Sequence, residues 1–261
     1  MTQTRQSVAL EARLKSCKNV WTLGVRPHFS DYPPQEAAAI AAAEKIYYPS
    51  SFYAELFAAM GKPIFPSVHT YRFAQDKIKQ SALFAMLGIP HPRTRAFYGQ
   101  RREEKILAHF AFPFVGKIPR GSALGRGVYL LQSIADLQQY LALTQTAYIQ
   151  QYLPIDRDMR IVVIGSEVAC AYWRIAPPGQ FRTNVEQGGQ IRLDRISDEA
   201  RRLALYTARK CGWNDVGIDL CFHEGQYYVL EGNMKYGRSG FRQAGIDYYR
   251  MMEEMIADGQ I

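Results

Sequence analysis

"DVGIDLCFHEGQYYVLEGN", Asp215 to Asn233, is the stretch on which the fold turns. Two apolar, strand-like runs flank Glu224 and Gly225, so the segment reads as a β-hairpin turning near Gly225. Asp219 breaks the first run, between Ile218 and Leu220 and ahead of Phe222. Glu231 and Asn233 close the second run, where two more apolar residues could sit. Facing depends on the turn. An odd loop sets Asp219 opposite or diagonal to Glu231, on one face with Asn233; an even loop sets them on opposite faces. Two carboxylates across a ladder repel and call for a cation, and an Asp/Glu/Asn oxygen set with room for water and phosphate oxygens suits Mg²⁺. The alternative is that each acid pairs with a nearby arginine.

Upstream, "DMRIVVIGSEVACAYWRIAP" reads as another hairpin, turning near Gly165-Ser166, and "SDEARRLALYTARKCG" as the helix between the two. The first hairpin and the "FRTN" after it carry Asp158, Arg160, Arg174, Arg182 and Asn184. Arginines of this kind either pair with surface carboxylates for little gain or converge to grip phosphate and carboxylate. Further back, "VGKIPRGSALGRGVYL" sets Lys117 at the end of an apolar strand, before Gly121, Ser122, Gly125 and Gly127. It is not a Walker loop, in which the lysine follows the glycines and opens a helix. It reads as a loop whose N–H groups can cover phosphates, or as an exposed hairpin loop.

The N-terminal third has a different pattern. "NVWTLGV", "IYYPS" and "PIFPS" read as strands separated by two helices, a small β-α-β-α-β unit with a parallel sheet and no dinucleotide fingerprint. The residues before it, with Val8, Leu10 and Leu14, read at most as a short amphipathic helix. "YRFAQDKIKQSALFAMLG" reads as one long helix ended by Gly88.

At 261 residues, 48% hydrophobic and 21% charged, the chain has the composition of a globular protein with two or three lobes. It has neither a membrane-span run nor the apolar core of a secretion signal, so a soluble, cytoplasmic protein is expected. Four scattered cysteines and five scattered histidines make no zinc or disulfide pattern. The net charge of +8 favours acidic partners, but it is spread along the chain, which points to clefts that hold anions over a nucleic-acid arm.

Taken in order, these motifs resemble the ATP-grasp superfamily, and most closely its RimK-like branch of glutamate ligases. The resemblance covers Asp76 to about Phe241: a D-I-R-like strand, a G-[DE]-E-V-x-A-like turn, a second-strand arginine, F-R-[ST]-N, and the GID…LEGN hairpin. It implies an α+β, ATP-grasp fold, with two α+β lobes of antiparallel sheet sandwiching the nucleotide behind a short α/β lobe. The divisions expected are 1–70, 71–148 and 149–261. The activity implied is carboxylate–amine ligation through an acyl phosphate, with ATP and one or two Mg²⁺ ions, or Mn²⁺ in their place.

By the same resemblance Lys77 and Lys117 reach the phosphates, and Gly121 to Gly127, with Ser122 and Gly125, cover them. Gln151 and Tyr152 lie at the adenine edge, with Asp158 near the ribose or at the start of the catalytic strand. Arg160, Arg174, Arg182 and Asn184 line the acyl-transfer site, and Asp219, Glu231 and Asn233 hold the metal. Gln151 replaces the family's glutamate, Gly232 puts a flexible residue between two ligands, and "MKYGRSGF" departs from A-S-P-G-L-E-G-I. Lys235 and Arg238 are therefore candidates to grip an acidic amino-acid or peptide substrate, or to form structural ion pairs. Self-association is left open. The rival readings are a glutathione-synthetase or dipeptide-ligase type of enzyme, a kinase, and a non-catalytic nucleotide binder.

Overall fold

The computed structural model describes residues 7–121, 127–185 and 188–261. The N-terminal part is a parallel sheet in the order β2-β1-β3-β4, built from β1 (Ser7–Ala9), β2 (Val20–Thr22), β3 (Ile46–Tyr47) and β4 (Ile64–Phe65). Helices α1 (Pro34–Ala42) and α2 (Ser50–Ala59) provide the crossovers. The segment expected as a helix thus begins with an inner strand. Val8 and Ala9 are buried on both faces, so β1 shows apolar residues without strand-like alternation.

The expected long helix is two: α3 (Val68–Phe73) and α4 (Lys77–Leu87). The chain breaks at Gln75, with φ 59°, and restarts at Asp76, whose carboxylate accepts from Lys79 N–H as an N-cap. Gly88 closes α4 in the left-handed conformation, as the sequence requires.

An antiparallel sheet follows in the order β5-β8-β6-β7, formed by β5 (Thr94–Phe97), β6 (Phe114–Lys117), β7 (Val128–Leu131) and β8 (Ala147–Gln151). Helices α5 (Arg102–Leu107) and α6 (Ile134–Leu143) cover it through a core that includes Phe97, Phe114, Leu137 and Tyr140.

The largest sheet, β11-β10-β9-β12-β13, comprises β9 (Arg157–Ile164), β10 (Glu167–Ile175), β11 (Gln190–Arg192), β12 (Asp215–His223) and β13 (Gln226–Asn233). The helix α7 (Asp198–Cys211), capped by Ser197 and Gly212, packs on one face together with α4. Helices α8 (Ser239–Gln243) and α9 (Tyr248–Ala257) pack on the other. The core under α9 also takes in Leu14, Tyr47 and Tyr48, which joins the N-terminal sheet to the large one. Mixed helix and antiparallel sheet bear out the α+β expectation. Among the described residues no helix is long and apolar enough to cross a membrane.

Candidate active site

The turn between β12 and β13 has two residues, Glu224 and Gly225, both at positive φ. By alternation alone such an even turn would oppose Asp219 to Leu230. The ladder instead steps from Leu220↔Val229 to Asp219↔Glu231, so Leu230 is a one-residue bulge. The bulge resets the alternation and brings Asp219 and Glu231 to one face, with Asn233 two residues further along it. Gly232, between the two, is pinned and not free. Its N–H donates to Gln80 Oε1 at 2.9 Å, and its carbonyl accepts from Gln80 Nε2 at 2.9 Å. A Cβ there would lie 2.5 Å from the Trp213 ring.

A second bulge, at Ala169 in β10, does the same for the first hairpin. It places Arg174 directly opposite Asp158. Arg174 Nε and Nη2 donate to the two Asp158 oxygens, each at 2.7 Å, and Thr183 Oγ1 donates at 2.6 Å. Asp158 therefore stands at the start of β9 as the anchor of an arginine, with both oxygens taken. Arg174 Nη2 is also 3.0 Å from Asp219, and Arg160 chelates Asp219 through Nε and Nη2. Gly217 leaves the room Arg160 needs, since a Cβ there would lie 2.7 Å from its Cδ. Burial alone would raise the pKa of Asp219, but Arg160 and Arg174 override it and hold the carboxyl below the usual range.

Lys117 ends β6 with 9% exposure. Burial pulls its pKa down, and the charge of Glu231 offsets this in part. Lys77 opens α4, with its ammonium 3.5 Å from Glu231. The Lys77 N–H donates to Pro119 O at 3.1 Å, and Asp76 bonds Arg120 at 2.9 Å, so the start of α4 is tied to the chain leading into Gly121.

A cleft between the two antiparallel sheets gathers most of the residues singled out from sequence. Lys117, Gln151, Tyr152, Asp158, Arg174, Arg182, Asn184, Asp219 and Glu231 all line it. Lys77 lines an adjoining recess with Glu231, and Arg160, Asn233 and Lys235 line another with Arg174 and Asn184. Arg182 donates to the Val128 carbonyl, bridging the large sheet to β7. Gly121 and Gly127 take positive φ at the two ends of their loop; Ser122 and Gly125 lie outside the described residues. Arg238 donates to Tyr249 OH and stacks over Tyr248 and Tyr249, so it belongs to the packing of α9.

Sequence reasoning did not single out Thr183, or the apolar wall of Val115, Leu153, Ile155 and Leu230. Thr183 lay within the quoted "FRTN", and only its bond to Asp158 gives it a role. Leu230 had no signal, because its exposure to the cleft follows from the bulge.

The match to known proteins agrees with this geometry. Residues 74–256 match the model of the RimK-like ATP-grasp domain. The chain belongs to the RimK-like ATP-grasp family.

Curated relatives of the RimK-like chain include a probable alpha-L-glutamate ligase of Parasynechococcus marenigrum, 30% identical over 77% of this chain and 44% of the relative. A second, from Pseudoalteromonas atlantica, is 31% identical over 70% and 63%. The chain thus spans about half to two thirds of the length of these two. Among solved structures, a RimK domain ATP-grasp protein from Sphaerobacter thermophilus superposes with TM-score 0.66 at 17% identity, covering 96% of this chain and 99% of the other. The D-alanine–D-alanine ligase of Bacillus anthracis gives 0.67 at 13%, over 91% and 85%. The ATP-grasp ligase PsnB, solved with minimal precursor, Mg and ADP, gives 0.71 at 16%, over 100% and 99%. At these identities the likeness is one of fold.

The family binds ATP and Mg²⁺, and the residues here suit the ion. Glu231 and Asn233 offer oxygen donors from one face of β13, opposite a second carboxylate. Among the described residues no group of three His, Cys, Asp or Glu side chains is placed to hold a metal ion.

Proposed function

We propose that the chain is an ATP- and Mg²⁺-dependent carboxylate–amine ligase acting through an acyl phosphate. The observation that carries this reading is the charge balance of the cleft and its recesses. Lys77, Lys117, Arg160 and Arg174 stand against Asp158, Asp219 and Glu231, with the last two on one face. Such a site suits a polyanion that arrives with a divalent ion.

In this mechanism Lys117 and Lys77 hold the phosphates from the two walls. Val115 and Leu230 give the base an apolar slot beside Gln151 and Tyr152. Glu231 and Asn233 would hold Mg²⁺, with Asp219 behind them orienting Arg160 and Arg174. The ion, when bound, offsets charge on the transferred phosphoryl. Arg174, fixed by Asp158, and Arg160 face the transferring group, and with Arg182 and Asn184 they bind the acyl phosphate and the charge that develops as the amine displaces phosphate.

Residues 1–70 would form the leading lobe, 71–148 the small grasp lobe and 149–261 the large one. The names of the relatives support an acidic amino acid as substrate. The free, buried cysteines support action in the cytoplasm. The test is incubation with ATP, Mg²⁺ and pooled amino acids, following phosphate release and product mass. ADP, phosphate and a new amide are expected. A phosphorylated product without an amide would favour a kinase and overturn the reading.

A further inference from the structure

Gly116 stands directly before Lys117 on the inner strand β6, and its cross-strand partners are Tyr129 in β7 and Ile149 in β8. Side chains alternate along a strand, so Val115 and Lys117 face the cleft while Phe114 and Gly116 face the core under α6. A ring from the helix fills the place of the missing side chain. Tyr140, buried in α6, lies over Gly116: a Cβ there would stand 3.0 Å from Cε2 and Cζ of that ring and 3.0 Å from Leu131 Cδ1. Tyr129 flanks the same ring, with 5.8 Å between centroids.

The ring carries its hydroxyl to the end of the strand. Lys117 and Tyr148 form the last pair of the β6–β8 ladder. Tyr140 OH donates to the Lys117 carbonyl at 2.7 Å, accepts from the Tyr148 N–H at 2.9 Å and lies 3.3 Å from the Tyr148 carbonyl. Burial pushes the Tyr140 phenol above the usual tyrosine value, so the proton it donates stays in place at neutral pH. Past this rung the strand ends: the Ile118 N–H donates to Gly127 O at 2.7 Å, and the Pro119 carbonyl takes the Lys77 N–H. The ends of strands open at little cost, and a lysine stem has many rotamers. A hydroxyl clamped on the last rung removes the first freedom at the residue where it would move the ammonium most.

We propose that Tyr140 is a positioning residue for Lys117: its hydroxyl on the last rung, and the slot that Gly116 leaves for its ring, fix the backbone from which the ammonium reaches the nucleotide phosphates. The proposal rests on the reading of Lys117 as a phosphate ligand. It makes α6, on the far face of the sheet from the cleft, part of the support of the site, and it gives the glycine before the lysine a function.

The test is a double-mutant cycle on ATP affinity, read by titration calorimetry on the full chain with Mg²⁺, with the Tm of each variant alongside. Tyr140→Phe keeps the ring and removes the hydroxyl, and should weaken ATP binding about tenfold. Gly116→Ala keeps the hydroxyl and displaces the ring by a few tenths of an ångström, and should weaken it about threefold. In a Lys117→Met background neither change should lower ATP affinity by more than about twofold further. Should Tyr140→Phe fail to fold, Gly116→Ala carries the same cycle. A role in stability alone predicts a lower Tm with ATP affinity unchanged, or the same loss of affinity with and without Lys117. Either result overturns the positioning role and leaves the ligase reading standing. A Lys117→Met chain that binds ATP as tightly as wild type overturns the phosphate reading of Lys117, and the positioning role with it.

Discussion

Lys117 is a single buried charge on the wall of the cleft. A buried ammonium beside Glu231 is costly until an anion arrives, and its pKa is held below the usual lysine value. For a lysine depressed in the fold, the unfolded chain binds more protons between the two pKa values, so stability rises with pH across that window. The Tm of the ligand-free protein, taken relative to Lys117→Met, should therefore climb as pH rises toward about 10. The extra Tm given by Mg·ATP should shrink over the same range, as the ammonium is lost. At neutral pH, Lys117→Met should weaken ATP binding tenfold or more, at about 1.5–3 kcal/mol for a charge-assisted bond, while the unliganded Tm holds or rises. Titration calorimetry and thermal melts read both. Unchanged ATP affinity would remove Lys117 from the phosphate site.

At the scale of elements, the site depends on two bulges and one clamp. Gln80 of α4 holds both backbone groups of Gly232, which fixes the helix bearing Lys77 against the strand bearing Glu231. Gly232→Ala should cost about 1–3 kcal/mol in denaturant unfolding, because its methyl meets the Trp213 ring. Gln80→Met should cost a similar amount, about 1–3 kcal/mol, by leaving two buried backbone groups unpaired. Both hairpins and their turns were legible from apolar runs and from Gly165 and Gly225. The facing of their acids was not: Leu230 and Ala169 take up a residue each where the ladder, and no local pattern, decides. The short β1 was hidden because both its faces are buried, and the break before α4 because Asp76 acts as a cap inside an otherwise helical run. The candidate residues were legible as types at given spacings. Their pairings, Asp158 with Arg174 and Asp219 with Arg160, needed the sheet.

Across the whole molecule, the leading sheet, the large sheet and α9 share one core, tied by polar bonds around Asp215. Burial raises the pKa of Asp215, against the opposing pull of Arg13 and the hydroxyls of Tyr236 and Tyr48. Asp215→Ala would leave the Arg13 charge buried without its carboxylate, at about 3–5 kcal/mol. Denaturant unfolding followed separately by near-UV and far-UV signals should show one transition at lower denaturant; an unshifted midpoint would mean that the network does not join the two sheets. The central claim, that the cleft joins carboxylate to amine through an acyl phosphate, is tested most directly by isotope transfer. With an ¹⁸O-labelled carboxylate substrate, ATP and Mg²⁺, the released phosphate should carry one labelled oxygen for each amide formed. Amide formation with unlabelled phosphate, or label retained in a phosphorylated product without an amide, would contradict it.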